Sequence, residues 1–363
     1  MTKIGVIGAN GQVGAELCLM LAQRSDVDLV AICRTHSGSA FLRWQGIACR
    51  HGRTADPNDV ARLIGDCDVI VNSSLAGGSP ANIRRTEDCI VRNLFTYSKP
   101  GATIIHFSTQ SVYGDPRPNR LYRRRNPYGR AKLATEHRVR AEQRRSRKSA
   151  YILRLGHVCG TMQEISNTIR DSIRASAVVL PSQDCSSNTV YTAAIVGAIL
   201  QIAAGRAKPG SYDLMSSPPW TWREVYEYEA RICRVALTPQ IAAESAPVPR
   251  RAAVLSPVKR LAASIASSEP MRELASKLLA YAPNRVNARA MGWWYLKRAR
   301  SQIAALDNAP RAPEHLSWVA NGVNFFPAEK STKELLLLGE TESSVQAHFR
   351  PWPADLPDAN AAT

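Results

Sequence analysis

The turn "GANGQVG", Gly8 to Gly14, limits what this chain can fold into more than any other stretch. Before it runs "KIGVIG", an apolar, β-branched strand, and after it "GAELCLMLAQR" carries the apolar spacing of a helix. Glycines at these positions let the chain turn sharply and let a phosphate approach the backbone, and the third lets the helix pack tightly on the strand. The helix start then offers unpaired N–H groups and the positive end of its dipole to a pyrophosphate. Gly8, Asn10, Gly11, Gln12, Val13 and Gly14 are therefore the expected dinucleotide-binding turn, with Ser73 beside it at the end of a later strand.

"VDLVAIC", "DVIVNSS", "ATIIHFST" and "SAYILRLGHV" read as further strands, with helical stretches at 57–67, where Asp56-Pro57 is the start signal, and at 81–97. Alternating helices and apolar strands imply a parallel sheet covered on both faces. The fold expected is α/β, a Rossmann-type doubly wound parallel sheet over residues 1–160, with 188–215 returning to it. After about residue 215 the pattern changes to the helix "TWREVYEYEARIC", a proline-interrupted stretch, and two helices at 271–281 and 288–306. Residues 161–187 and 216–345 are read as a smaller C-terminal substrate lobe, and 346–363 as a flexible tail.

No apolar run approaches the roughly 20 residues that span a bilayer. The chain enters a strand at once, with no cationic and apolar leader, so a cytoplasmic protein is expected. Eight cysteines are scattered without a CxxC pair, the pattern of reduced thiols and of no metal site. The net charge is +17, and only ten of the 47 basic residues are lysines. That balance implies either an anionic partner or an arginine-rich composition. No basic motif with interleaved aromatics stands out, so a nucleic-acid partner is not expected.

"NPYGRAKLATEH" sets Tyr128 and Lys132 one helical turn apart, on one face of a helix, and "HFSTQSVYG" ends a strand shortly before it. Alone, the first stretch is a basic solvated helix that happens to hold a tyrosine. With the second, it contains the parts of a proton-transfer group. A tyrosine hydroxyl titrates near 10, too high for acid–base work near neutrality, unless a cation lowers it. A neighbouring Ser or Thr hydroxyl would polarise the same substrate oxygen.

The GxxGxxG turn, "STQSVYG" and "YGRAKLATEH" together resemble the short-chain dehydrogenase/reductase superfamily, in its extended branch of sugar-nucleotide epimerases, dehydratases and reductases. The resemblance covers residues 3–235 and fades beyond about 245. It implies that Tyr128 is the acid/base, that Lys132 tunes it and holds the nicotinamide ribose, and that Thr109 orients the substrate oxygen. Ser108 or Ser111 takes the place of Thr109 if the register slips, and Ser111 also faces the substrate in this reading. Arg34 stands where an acid would bind the adenosine ribose, and an arginine suits a 2′-phosphate. NADP(H) is therefore the favoured cofactor, with NAD(H) left open. Arg53 likewise replaces an acid that usually meets the adenine.

Family members that dehydrate a hexose carry Asp-Glu after the Ser/Thr; this chain has Gln110-Ser111, which disfavours 4,6-dehydration. "LRLGHVCG" puts His157 at the usual asparagine position near the substrate phosphates, or as a structural histidine at a strand end. Ala193-Ala194 replace two acids, and Ser187 stands where a phosphate-gripping arginine is found. Arginines at 117, 120 and 123–125 either replace that contact or form a solvated loop.

The expected activity is hydride transfer at a keto or hydroxy carbon of an activated, anionic sugar, as a reductase or epimerase. The alternatives are a ketoreductase of a non-sugar substrate and a non-catalytic NADP-sensing protein. The helix at 288–306 is read as core or homodimer contact, or as a basic amphipathic face on an anionic membrane.

Overall fold

The computed structural model describes residues 1–76, 80–113, 127–180, 187–215 and 220–241. The arginines at 117, 120 and 123–125, the helices expected at 271–281 and 288–306, and the tail lie outside these residues.

Seven strands form one parallel sheet. They are β1 (Thr2–Ile7), β2 (Val27–Cys33), β3 (Cys49–His51), β4 (Val69–Asn72), β5 (Thr103–Thr109), β6 (Ala150–Leu155) and β10 (Gly210–Leu214), in the order β10-β6-β5-β4-β1-β2-β3. Strand order reverses at β1, which pairs with β2 on one side (Ile7↔Ile32) and with β4 on the other (Ile7↔Asn72). In an open α/β sheet the crevice beyond the carboxyl ends at such a reversal is where ligands bind.

Two helical layers cover the sheet. α1 (Gln12–Leu21) and α7 (Thr192–Ala203) pack on one face. There Leu17, Leu21, Ile195 and Ile199 are fully buried with Ile4 and Val6 of β1. α3 (Pro57–Ile64), α4 (Pro80–Tyr97) and α5 (Pro127–Ser146) cover the other through Val60, Leu63, Ile90, Leu94 and Val139. Each such side chain contributes about 1.5–3 kcal/mol by leaving water. A short α2 (Ala40–Trp44) follows a 3₁₀ turn at Ser37–Ser39. The Asp56-Pro57 start of α3 forms as expected: the Asp56 carboxylate accepts from the Asn58 N–H at 2.9 Å, and proline fills the first turn, where no N–H is needed.

The remaining elements gather at one end. β7 (His157–Cys159) pairs with β9 (Thr189–Tyr191), and β8 (Val179–Leu180) with β11 (Gln240–Ile241). α6 (Glu164–Arg174) packs on α8 (Trp222–Cys233) around Cys159, Tyr191, Trp220 and Trp222. Within this cluster Arg170 and Glu229 form a buried ion pair at 2.6 Å. α8 starts with a capping box in which Thr221 and Glu224 satisfy each other's backbone N–H groups.

Two features differ from the sequence expectation. The apolar run at 149–158 is not one strand but two, β6 and β7. Its break is Gly156, where a Cβ would collide with the Asn188 carbonyl, so β7 leaves the main sheet to pair with β9. The seventh strand, β3, was not anticipated, because its three residues, Cys-Arg-His, carry no apolar pattern.

Candidate active site

At the carboxyl end of β1 the chain turns at Gly8, whose φ of +78° is a conformation L side chains rarely adopt. The backbone of Ser74, after β4, lies 3.0 Å from where a Gly8 Cβ would be. A Cβ on Gly14 would run into the Gly8 carbonyl and lie 3.0 Å from Ala9 Cα. The helix and the turn touch because both positions lack side chains. Gly11 caps α1 without a side-chain hydrogen bond, is exposed, and has its N–H on the Gly8 carbonyl at 2.8 Å. An uncapped helix start fronted by an exposed glycine fits a pyrophosphate, which would take the N–H groups at Gln12 and Val13.

The neighbouring side chains are placed by short-range chemistry. The Ser73 hydroxyl donates to the Ile7 carbonyl at 2.7 Å, tying β4 to β1. Asn10 packs against the 36–39 loop: a Cβ on Gly38 would lie 3.0 Å from its Nδ2. Arg34 is exposed just after β2, and Arg53 is exposed after β3. Near this strand end, the His51 ring meets the Ser39 hydroxyl at 2.8 Å and lies 5.2 Å from the His36 ring, tilted against it. Burial, then the charges of His36, Arg43 and Arg62, hold His51 below its ordinary value.

Glu16 lies one turn into α1 and is fully buried. Its carboxylate accepts from the Thr161 N–H (2.8 Å), the Met162 N–H (3.1 Å), Gln163 Nε2 (2.7 Å) and the Thr192 hydroxyl (2.8 Å). It fastens the segment after β7, and the start of α7, to the helix of the glycine turn.

α5 packs against β5 and the 3₁₀ turn at Gln110–Tyr113, bringing Tyr128 and Lys132 to the end of the strand that carries Thr109. Lys132 is buried, and its ammonium donates to the carbonyls of Phe107 (3.2 Å) and Ser74 (3.4 Å). An ammonium has three N–H donors, so one is left for a ligand such as a ribose. Burial lowers the Lys132 pKa, opposed by the charges of Glu87 and Glu136.

Tyr128 is 42% exposed, yet the surrounding protein removes enough hydration to raise its hydroxyl above the ordinary value, and Glu87 raises it further. The lysine was expected to make the tyrosine more acidic. The influences that act on it, burial first and then the Glu87 charge, push the other way.

The two serines beside Thr109 separate clearly. Ser108 is buried and donates to Glu136 at 2.6 Å. Thr109 is half-buried; its Oγ accepts the Ser111 N–H at 3.2 Å and lies 3.4 Å from the Ser111 hydroxyl. Thr109 and Ser111 thus form one hydroxyl pair at the strand end, and Ser108 belongs to the structure beneath.

That structure is a network the sequence reading missed. Glu136 accepts from Arg154 Nε and Nη2 (2.9 and 2.8 Å) and from Arg140 Nη2 (2.8 Å) as well as from Ser108. Arg154 also donates to the Tyr113 hydroxyl (2.7 Å), which donates to Asp213 at 2.8 Å. Burial, then the Asp213 carboxylate, push Tyr113 up to about 12. Glu136 follows Lys132 by four residues on the same helical face, and that spacing was the available signal.

A second set runs under the lysine. Asn72 Oδ1 accepts the Ser74 N–H and hydroxyl (3.2 and 2.6 Å), so its amide nitrogen faces His106 Nδ1 at 3.3 Å. His106 is therefore the neutral Nε2–H tautomer. Burial, then the Lys132 charge, hold its pKa well below the ordinary value.

On the substrate side, the His157 ring lies 5.7 Å from that of buried Trp222, tilted against it, and the His157 backbone N–H donates to the Asn188 carbonyl at 2.8 Å. Ser187 is buried with its hydroxyl on the Trp220 carbonyl at 2.8 Å, and Ala193 and Ala194 are buried at the start of α7. Among the described residues no group of three or more His, Cys, Asp or Glu is disposed to hold a metal, and no helix is long and apolar enough to cross a membrane.

No curated protein matches this sequence. Solved structures do share its fold. UDP-Glc/GlcNAc 4-epimerase from Campylobacter jejuni superposes with a TM-score of 0.52 at 17% identity, covering 69% of this chain and 89% of that one. UDP-glucuronic acid 4-epimerase from Bacillus cereus, solved with NAD, gives 0.52 at 17% identity, over 66% and 86%. RMD from Pseudomonas aeruginosa, solved with NADPH, gives 0.50 at 18% identity, over 66% and 87%. Residues 4–188, just over half the chain, match the profile of one family and take in both the glycine turn and the Tyr128–Lys132 helix. The chain belongs to the NAD dependent epimerase/dehydratase family.

Proposed function

We propose that this protein is an NAD(P)-dependent reductase or epimerase that acts at a keto or hydroxy carbon through Tyr128, Lys132 and Thr109. The observation that carries the reading is the placement of Lys132. It is buried, held by the carbonyls of Phe107 and Ser74, and keeps one donor one turn from a partly open tyrosine. When bound at the glycine turn, the nicotinamide supplies or accepts the hydride. Tyr128 gives a proton to the substrate oxygen, or takes one from it. Thr109, backed by Ser111, donates a hydrogen bond to that oxygen. Lys132 holds the ribose and steadies the tyrosinate as it forms.

Arg34 favours NADP(H), through a bidentate contact to the 2′-phosphate. An activated sugar is the first substrate class to test, since structures of the same fold come from UDP-sugar epimerases. A non-sugar ketone is the second reading, favoured by Ser187, whose buried hydroxyl serves the Trp220 carbonyl where a phosphate-gripping arginine would stand. Gln110 and Ser111 offer no acid–base pair for eliminating water, so 4,6-dehydration is not the proposed reaction.

The test is to purify the protein, record its absorbance for retained dinucleotide, and titrate it with NADPH and NADH. Cofactor retained without net consumption during turnover assigns an epimerase. Exchangeable NADPH consumed by a ketone assigns a reductase. Failure to bind either dinucleotide would sink the whole proposal.

A further inference from the structure

One buried acid beside the candidate pair has no part in this scheme. Glu87 lies on the inner side of α4 and is 3% exposed. Its Oε1 accepts the Ala76 N–H at 2.7 Å, and its Oε2 accepts no hydrogen bond among the described residues. A buried carboxylate oxygen without a donor is costly.

The acids around it are differently provided. Glu136, on α5, is matched by Arg154 and Arg140. Asp88, next to Glu87, meets Arg138 at 3.5 Å. Glu87 makes no ion pair with an arginine among the described residues, and the cation it acts on is Lys132. His106, on β5, is neutral and feels the same lysine. The charge of Glu87 raises both the Lys132 ammonium and the Tyr128 hydroxyl.

Glu87 is also joined to the lysine through the backbone. The Ala76 N–H that it binds lies two residues from the Ser74 carbonyl that accepts from Lys132. The loop is anchored at its other side by Ser74 on Asn72 and Ser73 on Ile7. Moving Glu87 would therefore move an acceptor of Lys132.

We propose that Glu87 is a positioning residue of the proton-transfer group: through the Ala76 N–H it pins the 73–76 loop whose Ser74 carbonyl seats Lys132. The proposal rests on the catalytic reading of Tyr128 and Lys132 given above. A glutamine at 87 would keep the Ala76 bond through its carbonyl oxygen, whereas an alanine would lose it, so pinning is separable from charge.

The experiment compares the parent, Glu87→Gln and Glu87→Ala as full chains, by fluorescence titration of NADPH and by denaturant unfolding of each. Glu87→Ala, which frees the Ala76 N–H and the loop behind it, is expected to weaken NADPH binding several-fold by unseating Lys132. Glu87→Gln, which keeps the Ala76 bond, is expected to bind NADPH as the parent does. An Ala variant with the parent's affinity, or a Gln variant as weak as the Ala one, would overturn the pinning role while leaving Tyr128 as the acid/base. Full turnover in Tyr128→Phe would instead overturn the catalytic reading on which the proposal rests. A protein with only a structural need for Glu87 would lose stability in the Ala variant without any loss of NADPH affinity.

Discussion

Tyr128 and Arg34 are the side chains on which the proposed chemistry can be tested most cleanly, because both are exposed and neither props up the fold. Tyr128→Phe keeps the ring and removes the proton. It should lower turnover by about 10²- to 10⁴-fold, the usual worth of a positioned acid–base group, while dinucleotide affinity stays within a few-fold of the parent. Steady-state rates on a reduced substrate, with a fluorescence titration of NADPH, measure both. Full turnover in the Phe variant would remove Tyr128 from the mechanism. Arg34→Asp exchanges a guanidinium suited to a phosphate for a carboxylate suited to two ribose hydroxyls. Preference should reverse from NADPH to NADH, and equal losses for both would mean that Arg34 does not meet the 2′-position. These residues were legible because their chemistry is local: a tyrosine and lysine one turn apart, an arginine at a strand end. Glu87 was not legible, because its meaning depends on how α4 lies against α5, which no spacing within either helix encodes.

The glycine turn shows why a strand–turn–helix unit could be read from seven residues, whereas the end of β6 could not. Gly14 is required by a close approach: its missing Cβ would meet the backbone of Gly8 and Ala9, atoms that cannot swing aside as a side chain could. Gly14→Ala should therefore push α1 off β1, cost about 1–3 kcal/mol in chemical denaturation, and weaken dinucleotide binding. Gly197, inside α7, has nothing within 4 Å of its would-be Cβ. Gly197→Ala should stabilise by about 0.5–1 kcal/mol through better helix propensity alone, with binding unchanged. If both substitutions acted in the same direction, close packing at Gly14 would not be what the turn needs. The pattern that names Gly14 repeats nothing at Gly156, where the collision is with Asn188, far along the chain. Likewise the place of His157 after β6 left both a substrate contact and a structural histidine open, and its contact with Trp222 became visible only with α8 set beside β7.

Across the molecule, the strands nearest the site are held in place by charges as well as by the two apolar layers. Glu136 is fully buried where β5, β6 and α5 meet, and through Arg154 and Tyr113 it reaches Asp213 on β10. The partners lie 18 to 100 residues apart in sequence, so nothing in the sequence order announces them. Burial alone would raise the Glu136 carboxyl; the hydrogen bonds from Arg154 and Ser108 and the charges of Arg154 and Arg140 outweigh it and hold it below the ordinary value. A carboxyl depressed on folding contributes stability that is fully present above its unfolded value, about 4.3, and is lost as pH falls through the folded value. Replacing it by glutamine removes the charge and strands the Arg154 guanidinium, a loss of about 3 kcal/mol by the usual cost of breaking a buried pair. Glu136→Gln should therefore be less stable than the parent at pH 7 by that amount, measured by denaturant unfolding. The difference should hold down to about pH 5 and close as the parent's own carboxyl protonates below about pH 4. The exposed acids, such as Asp66 with Arg50 and Lys3, are common to both proteins and cancel in the comparison. A gap that stayed constant to pH 3 would place the loss in shape rather than charge, and Glu136 would then be a packing residue that happens to be acidic.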